Sequence, residues 1–146
     1  MSEIKFYSQR GPYGCFSNFS NHNVIIDGKN WKTTEHYYQA QKFARTHHED
    51  DIRSLSTPKL AATAGRDRNK PLREDWELVK ESIMYKALKA KFTQHEELKN
   101  TLLGTKDTKL IENSPVDYYW GCGSNNTGQN RLGILLMRLR SELKDA

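Results

Sequence analysis

The sequence predicts an α+β fold: a compact, mainly helical single domain over residues 1–146 with a small antiparallel β element. Three observations carry this reading. Apolar residues recur every three or four positions over several long stretches, strand-like runs are short, and turn formers separate the two. The chain of 146 residues with 7 Tyr, 5 Phe and 3 Trp is long enough for one core and too aromatic for a disordered segment.

The elements follow in order. Residues 3–8 and 23–26 read as strands, and Asp27-Gly28 ahead of K-N-W-K is a hairpin turn signal. Thr33 or Thr34 caps a helix starting near Glu35, because a hydroxyl there accepts from an otherwise unpaired backbone N–H. Thr57 caps a second helix with Pro58 in its first position and Gly65 as its stop. The loop G-R-D-R-N-K-P-L-R-E-D leads to a long amphipathic helix from Trp76 to Phe92, marked by Val79, Ile83, Ala87 and Ala90. Another helix runs from His95 to Leu103 and closes at Gly104, K-L-I-E-N-S is a strand, and an aromatic, glycine-rich run follows. Leu132, Leu135, Leu136, Leu139 and Leu143 form the apolar face of a final helix. Repeats, low-complexity tracts and linkers are absent from the sequence.

Composition narrows the function classes. With 23 Lys and Arg against 18 Asp and Glu, the net charge of +5 suits an anionic partner, either nucleic acid or a phosphorylated small molecule. No apolar run approaches the length of a membrane span, and M-S-E-I-K-F-Y lacks the apolar stretch of a signal peptide, so a cytoplasmic protein without a membrane partner is expected. Cys15 and Cys122 read as reduced thiols. The sequence contains neither a P-loop nor G-x-G-x-x-G, which removes the usual support for ATP hydrolysis and hydride transfer. His47 and His48 are adjacent and no H-x-x-x-H or C-x-x-C occurs, so neither a metal nor another cofactor is expected.

The stretch W-K-T-T-E-H-Y-Y-Q-A-Q-K-F, residues 31–43, poses the chemical question. On a helix Glu35 and Lys42 fall within about 20° of each other, flanked by Gln39 and Tyr38, while His36, Ala40 and Phe43 gather on a different face. Their separation of about 10 Å along the axis is too long for an ion pair and leaves room for a ligand. Periodicity by itself favours the plainer alternative, a solvated face. A second patch, S-P-V-D-Y-Y-W-G-C-G-S-N-N-T-G-Q-N, sets Asp117 beside three aromatic residues and ends at a helix start. Glycine-rich backbone there suits a phosphate and Trp120 suits a base, the alternative being a surface loop with Trp120 tucked into the core. In R-G-P-Y-G-C-F-S-N-F, which contains Gly11, Asn18 and Phe19, Asn18 reads a polar group or satisfies its own turn. Arg66, Arg68, Lys70 and Arg73 place four cations in eight residues, and for Arg68 and Lys70 a solvated role is the favoured reading.

Together these stretches resemble the NADAR, or YbiA-like, family. The resemblance rests on F-S-N-F from Phe16, E-H-Y-Y-Q-A-Q-K-F from Glu35, Gly65-Arg66, L-R-E-D-W ending at Trp76, K-A-K-F, Asp117 with Trp120-Gly121, and G-Q-N-R-L-G-I-L-L-M from Gly128. No single piece is diagnostic, but in order and spacing they cover nearly the whole chain; Arg131 departs from the aromatic or neutral residue expected before L-G. The resemblance implies a compact helical domain with a small β element and N-glycosidase chemistry. Some members cleave ADP-ribose from guanine in nucleic acid, and others cleave a ribosylamino-uracil intermediate of riboflavin synthesis.

Breaking a ribose C–N bond develops positive charge at the anomeric carbon and negative charge on the departing nitrogen, which calls for a carboxylate near the sugar and a proton donor near the base. Carried onto this sequence, Glu35, Lys42 and Asp117 are the expected catalytic residues. Lys42 is read as a nucleophile and Glu35 as the proton carrier, the alternative being Lys42 as a phosphate or ribose contact with a carboxylate activating water. Gly11, Asn18, Phe19, Gln39, Arg66, Trp76, Trp120, Gly121 and Asn130 are the expected substrate contacts. Trp76 and Trp120 would stack on a base, while Asn18, Arg66 and Asn130 would hold phosphate or ribose. The expected partner is ADP-ribosylated nucleic acid or ADP-ribose, with the riboflavin intermediate and a non-catalytic ADP-ribose-binding module as alternatives.

Overall fold

The computed structural model describes residues 2–146 in the order β1 (Glu3–Phe6), β2 (Val24–Ile26), β3 (Lys29–Trp31), α1 (Thr34–Gln41), α2 (His47–Arg53), α3 (Pro58–Gly65), α4 (Trp76–Gln94), α5 (Glu96–Gly104), β4 (Lys109–Glu112) and α6 (Arg131–Lys144). The fold is α+β and mainly helical. Two contact units divide it: one joins the chain up to Ser17 to His95–Ala146, and the other is Asn18–Gln94.

In the Asn18–Gln94 unit, β2 and β3 form the expected antiparallel hairpin, with Val24 opposite Trp31 and Ile26 opposite Lys29. Asp27 and Gly28 have φ of 53° and 79°, the left-handed pair that a two-residue turn of matching twist requires. The free edge of β2 is closed by Gln94, which accepts from the Ile25 N–H and donates to the Ile25 carbonyl, each at 2.8 Å. Val24, Ile26, Trp31, Tyr37, Ala40, Phe43, Ile52, Ala61 and Ala87 form one buried cluster fed by the hairpin and by α1 to α4. Truncating Phe43 or Trp31 to alanine would cost about 3–5 kcal/mol.

Helix α2 was not expected from the sequence. Its seven residues, H-H-E-D-D-I-R, bury only Ile52, so there is no apolar period to read; its signal lies in the Thr46 cap and in Glu49 and Asp50 in the first turn. Helix α3 has the expected bounds, with Thr57 Oγ1 accepting from the Leu60 N–H at 3.1 Å.

The other unit corrects the reading of the first strand. Where the sequence reading expects a single small antiparallel β element, β1 pairs with β4 in parallel, in the register Glu3 to Lys109 through Phe6 to Glu112. A parallel partner needs a long crossover and leaves no turn signal in the sequence. Leu110 and Ile111 are buried, and so are Leu132, Leu135, Leu136, Leu139 and Leu143 of α6, the leucine face anticipated from spacing. Gly133 lets α6 approach β4: a Cβ there would overlap the Leu110 carbonyl oxygen. Among the described residues, no helix is long and apolar enough to cross a membrane.

Candidate active site

The N-terminus of α1 is fixed from two sides. Thr33 Oγ1 accepts from the His36 N–H at 3.1 Å, and the Asn18 carbonyl accepts from the Glu35 N–H at 3.2 Å. The Asn18 side chain is held at both ends, its Oδ1 accepting from Thr34 Oγ1 at 2.8 Å and its Nδ2 lying 3.3 Å from the Met84 sulfur. Residues 34–40 are all buried, which overturns the solvated-face reading of the polar stripe. Glu35 and Gln39 are 8% and 5% exposed, and Gln39 Nε2 donates to Glu35 Oε2 at 2.7 Å. A carboxylate held this way inside a protein is there for a reason other than solubility.

Lys42 ends α1 as its C-cap residue. Its Nζ donates to the Gly65 carbonyl at 3.3 Å and lies 5.8 Å from the centroids of both the Tyr38 and Trp76 rings. The two rings pack against each other at 5.2 Å. Burial holds the Lys42 ammonium below the ordinary lysine pKa; the negative charge of Glu35 opposes the shift, and the positive charges of Arg66 and Lys80 add to it. Lys42 forms no ion pair among the described residues. The result is a lysine with a raised neutral fraction and a carboxylate within electrostatic reach.

A cleft of about 340 Å³ opens beside it, lined by Lys42, Gly65, Arg66, Arg68, Lys70 and Trp76 together with Phe43, Asp67 and Leu72. Trp76 is 6% exposed, so it is both a packed residue and part of the wall. Arg68 and Lys70, read from the sequence as solvated, also line this cleft; Lys70 is anchored by Asp67 Oδ2 at 3.0 Å and the Ala64 carbonyl at 3.2 Å. Their signal was the cation run directly after Gly65-Arg66. Gly65 has a local reason to be glycine, since an added Cβ would overlap the Gln39 amide. Phe19, half-buried, belongs to the same unit.

Gly11, Asp117, Trp120, Gly121 and Asn130 belong to the other unit. Asp117 Oδ1 accepts from the Tyr119 and Trp120 N–H groups at 2.9 and 2.8 Å, closing the aromatic turn. Trp120 is half-buried and meets Tyr119 edge-on at 4.9 Å. Asn130, in the left-handed region at φ 51°, accepts from the Glu112 N–H and donates to the Leu110 carbonyl, each at 2.9 Å, so both ends of its amide bind β4. The Gly121 carbonyl accepts from the Asn130 N–H at 3.0 Å, and Gly11, at φ 83°, starts the turn into residues 14–16. On α2, the ligating atoms of His47, His48 and Asp51 lie within 4.8 Å of one another, a proximity that adjacency in sequence did not suggest.

Residues 5–144 match the NADAR domain family. The chain belongs to that family. It is 54% identical over 140 residues to N-glycosidase YbiA of Escherichia coli (strain K12), covering 96% of this chain and 88% of that protein. It is 41% identical over 155 residues to the riboflavin biosynthesis protein PYRR, chloroplastic, of Zea mays, covering 96% of this chain and 25% of that longer protein. The NMR structure of the E. coli protein YbiA superposes with a TM-score of 0.92 at 52% identity, covering 99% of this chain and 86% of that one. The α+β arrangement of this NADAR domain is therefore that of the YbiA structure.

Proposed function

We propose that this NADAR protein is an N-glycosidase that hydrolyses the bond between ADP-ribose and the amino group of guanine, restoring the base in nucleic acid. The observation that carries the reading is Lys42 itself: a lysine with lowered pKa, lying over two aromatic rings on the wall of a cationic cleft and within the field of a buried carboxylate. The name of the E. coli relative supports the reaction class. Three further cations on the cleft suit the two phosphoryl groups of ADP-ribose.

In this reading Glu35 moves protons while the ribose ring opens, leaving C1 doubly bonded to the guanine amino nitrogen. Neutral Lys42 Nζ adds to C1, the guanine amine leaves with a proton, and a Lys42 imine remains. Water then adds to that imine, and collapse releases ADP-ribose and restores the lysine amine. Asp117 is a further catalytic candidate, and Trp120, Asn130, Gly121 and Gly11 are candidate substrate contacts.

A second substrate is favoured by the maize relative, whose name places it in riboflavin biosynthesis: a phosphoribosylamino-uracil, with the same bond between ribose C1 and an amino nitrogen. Mass spectrometry of an oligonucleotide carrying ADP-ribosyl-guanine, before and after incubation, separates the readings. Free ADP-ribose from the wild type but not from Glu35→Ala or Lys42→Ala supports the first. An unchanged oligonucleotide with release of ribose 5-phosphate from the aminouracil transfers the assignment to the second, and binding of ADP-ribose without turnover of either leaves a recognition module.

A further inference from the structure

A second cleft, of about 420 Å³, lies between α5 and α6 and is lined by Lys99, Leu103, Lys106, Asp107, Arg140, Leu143 and Lys144. Arg140 is only 8% exposed, yet it has no carboxylate partner among the described residues. One nitrogen makes its internal bonds: Nη1 donates to Thr105 Oγ1 at 2.9 Å and to the Thr108 carbonyl at 2.7 Å, both neutral acceptors. This leaves the Nε and Nη2 edge without a hydrogen-bond partner among the described residues. Arg73 illustrates what such an edge binds, since its Nε and Nη2 reach the two oxygens of Asp75 at 2.6 and 3.1 Å. Burial also lowers the Arg140 pKa, opposed by the charge of Asp107, so the fold keeps this cation at a desolvation cost that Asp107 offsets only in part.

The neighbours add charge of the same sign. Lys99, Lys106 and Lys144 form no ion pairs among the described residues, whereas Lys29, Arg53, Lys70, Arg73, Lys80 and Lys86 each hold an acid. Four cations against Asp107 leave a net excess of three around the cleft. Leu103 and Leu143 give it an apolar floor.

We infer that this cleft is a binding site for adjacent phosphoryl groups of a nucleotide or nucleic-acid strand, with the Nε and Nη2 edge of Arg140 gripping one phosphoryl and the three lysines surrounding the next. A fork of two parallel N–H donors matches two phosphoryl oxygens. A single carboxylate would occupy the fork and leave the lysines unmatched, whereas two linked phosphoryl groups use both; the leucines can meet a sugar or base. The inference does not depend on the N-glycosidase reading, because it concerns other residues and its readout is not turnover.

The test follows the Arg140 Nε–H resonance of the ¹⁵N-labelled full chain during titration with inorganic pyrophosphate, ADP and a ten-nucleotide oligothymidylate. A saturable shift is expected, with an apparent Kd at least about tenfold weaker in the Lys99→Ala/Lys144→Ala variant, whose changed side chains make no internal bonds to lose. Tighter binding of ADP than of the oligonucleotide identifies a free nucleotide as the ligand, and the reverse order identifies a strand. Arg140→Lys keeps the charge but removes the fork, and should abolish saturable binding as read on neighbouring backbone amides. An unmoved Arg140 resonance with all three probes, or equal binding by the double variant, overturns the inference.

Discussion

Gln39 and Glu35, one turn apart in α1, are joined inside the protein by a hydrogen bond of 2.7 Å from the Gln39 amide to a carboxylate oxygen. The other end of that amide, Oε1, is buried without a hydrogen-bond partner. A buried acceptor left unpaired costs about 1–3 kcal/mol, so the amide's placement is set by what its nitrogen does for Glu35.

Replacing Gln39 with leucine keeps the volume and removes the donor. We expect kcat to fall by about 10²-fold through misplacement of the Glu35 carboxylate, with a small change in KM. Steady-state kinetics beside a thermal melt check this; a variant with unchanged kcat and an unchanged melting temperature would separate Gln39 from the chemistry.

Gly65 constrains the same amide from the far side, because a Cβ at that position overlaps Gln39. Gly65→Ala should destabilise the protein by about 1–3 kcal/mol, as overpacking does, and should lower kcat together with stability by displacing Gln39. Denaturant unfolding measures the first effect. Adding Gln39→Ala to Gly65→Ala should recover part of the lost stability without restoring activity, because it relieves the overlap but not the loss of the donor.

Much of this was legible in the sequence, and what was not has identifiable causes. The spacing of Glu35, Gln39 and Lys42 placed them on one side of α1, and Thr33, Thr57 and Pro58 marked helix starts, because caps and periodicity are local. That the stripe is buried depends on α3 and α4 packing around α1, which no window of residues 31–43 records. The pairing of β1 with β4 is equally non-local. Arg68 and Lys70 resembled solvated charges because a cation run has the same composition whether it faces bulk water or a cleft.

His36 gives a pH dependence of stability that can be isolated. Its Nε2 lies 2.9 Å from the Leu55 carbonyl and its Nδ1 lies 2.8 Å from Thr33 Oγ1, which fits a neutral ring donating at Nε2 and accepting at Nδ1. Burial holds its pKa below the ordinary 6.5. As pH falls below that value the unfolded chain takes up the proton first, so stability present above pH 6.5 declines as pH falls toward and through the native pKa. Urea unfolding at pH 7.5 and 5.0 should show the decline, and His36→Gln should flatten that part of it. An equal decline in both proteins would assign the acid sensitivity to other groups.

Lys42 carries the most direct test of the chemistry. If its amine attacks C1, sodium borohydride added during turnover should reduce the imine to a stable secondary amine and leave the sugar on the tryptic peptide containing Lys42. Lys42→Ala should lower kcat by about 10³-fold or more, and Lys42→Arg should not rescue it, because a guanidinium stays protonated. The pKa of Lys42 should lie below 10.5, as burial and the Arg66 and Lys80 charges require, and should rise toward that value in Arg66→Gln. Reductive ¹³C-methylation with an NMR titration would read it directly. Robust turnover by Lys42→Ala would instead leave Lys42 as a cation that holds the substrate, with water attacking C1 under the control of a carboxylate.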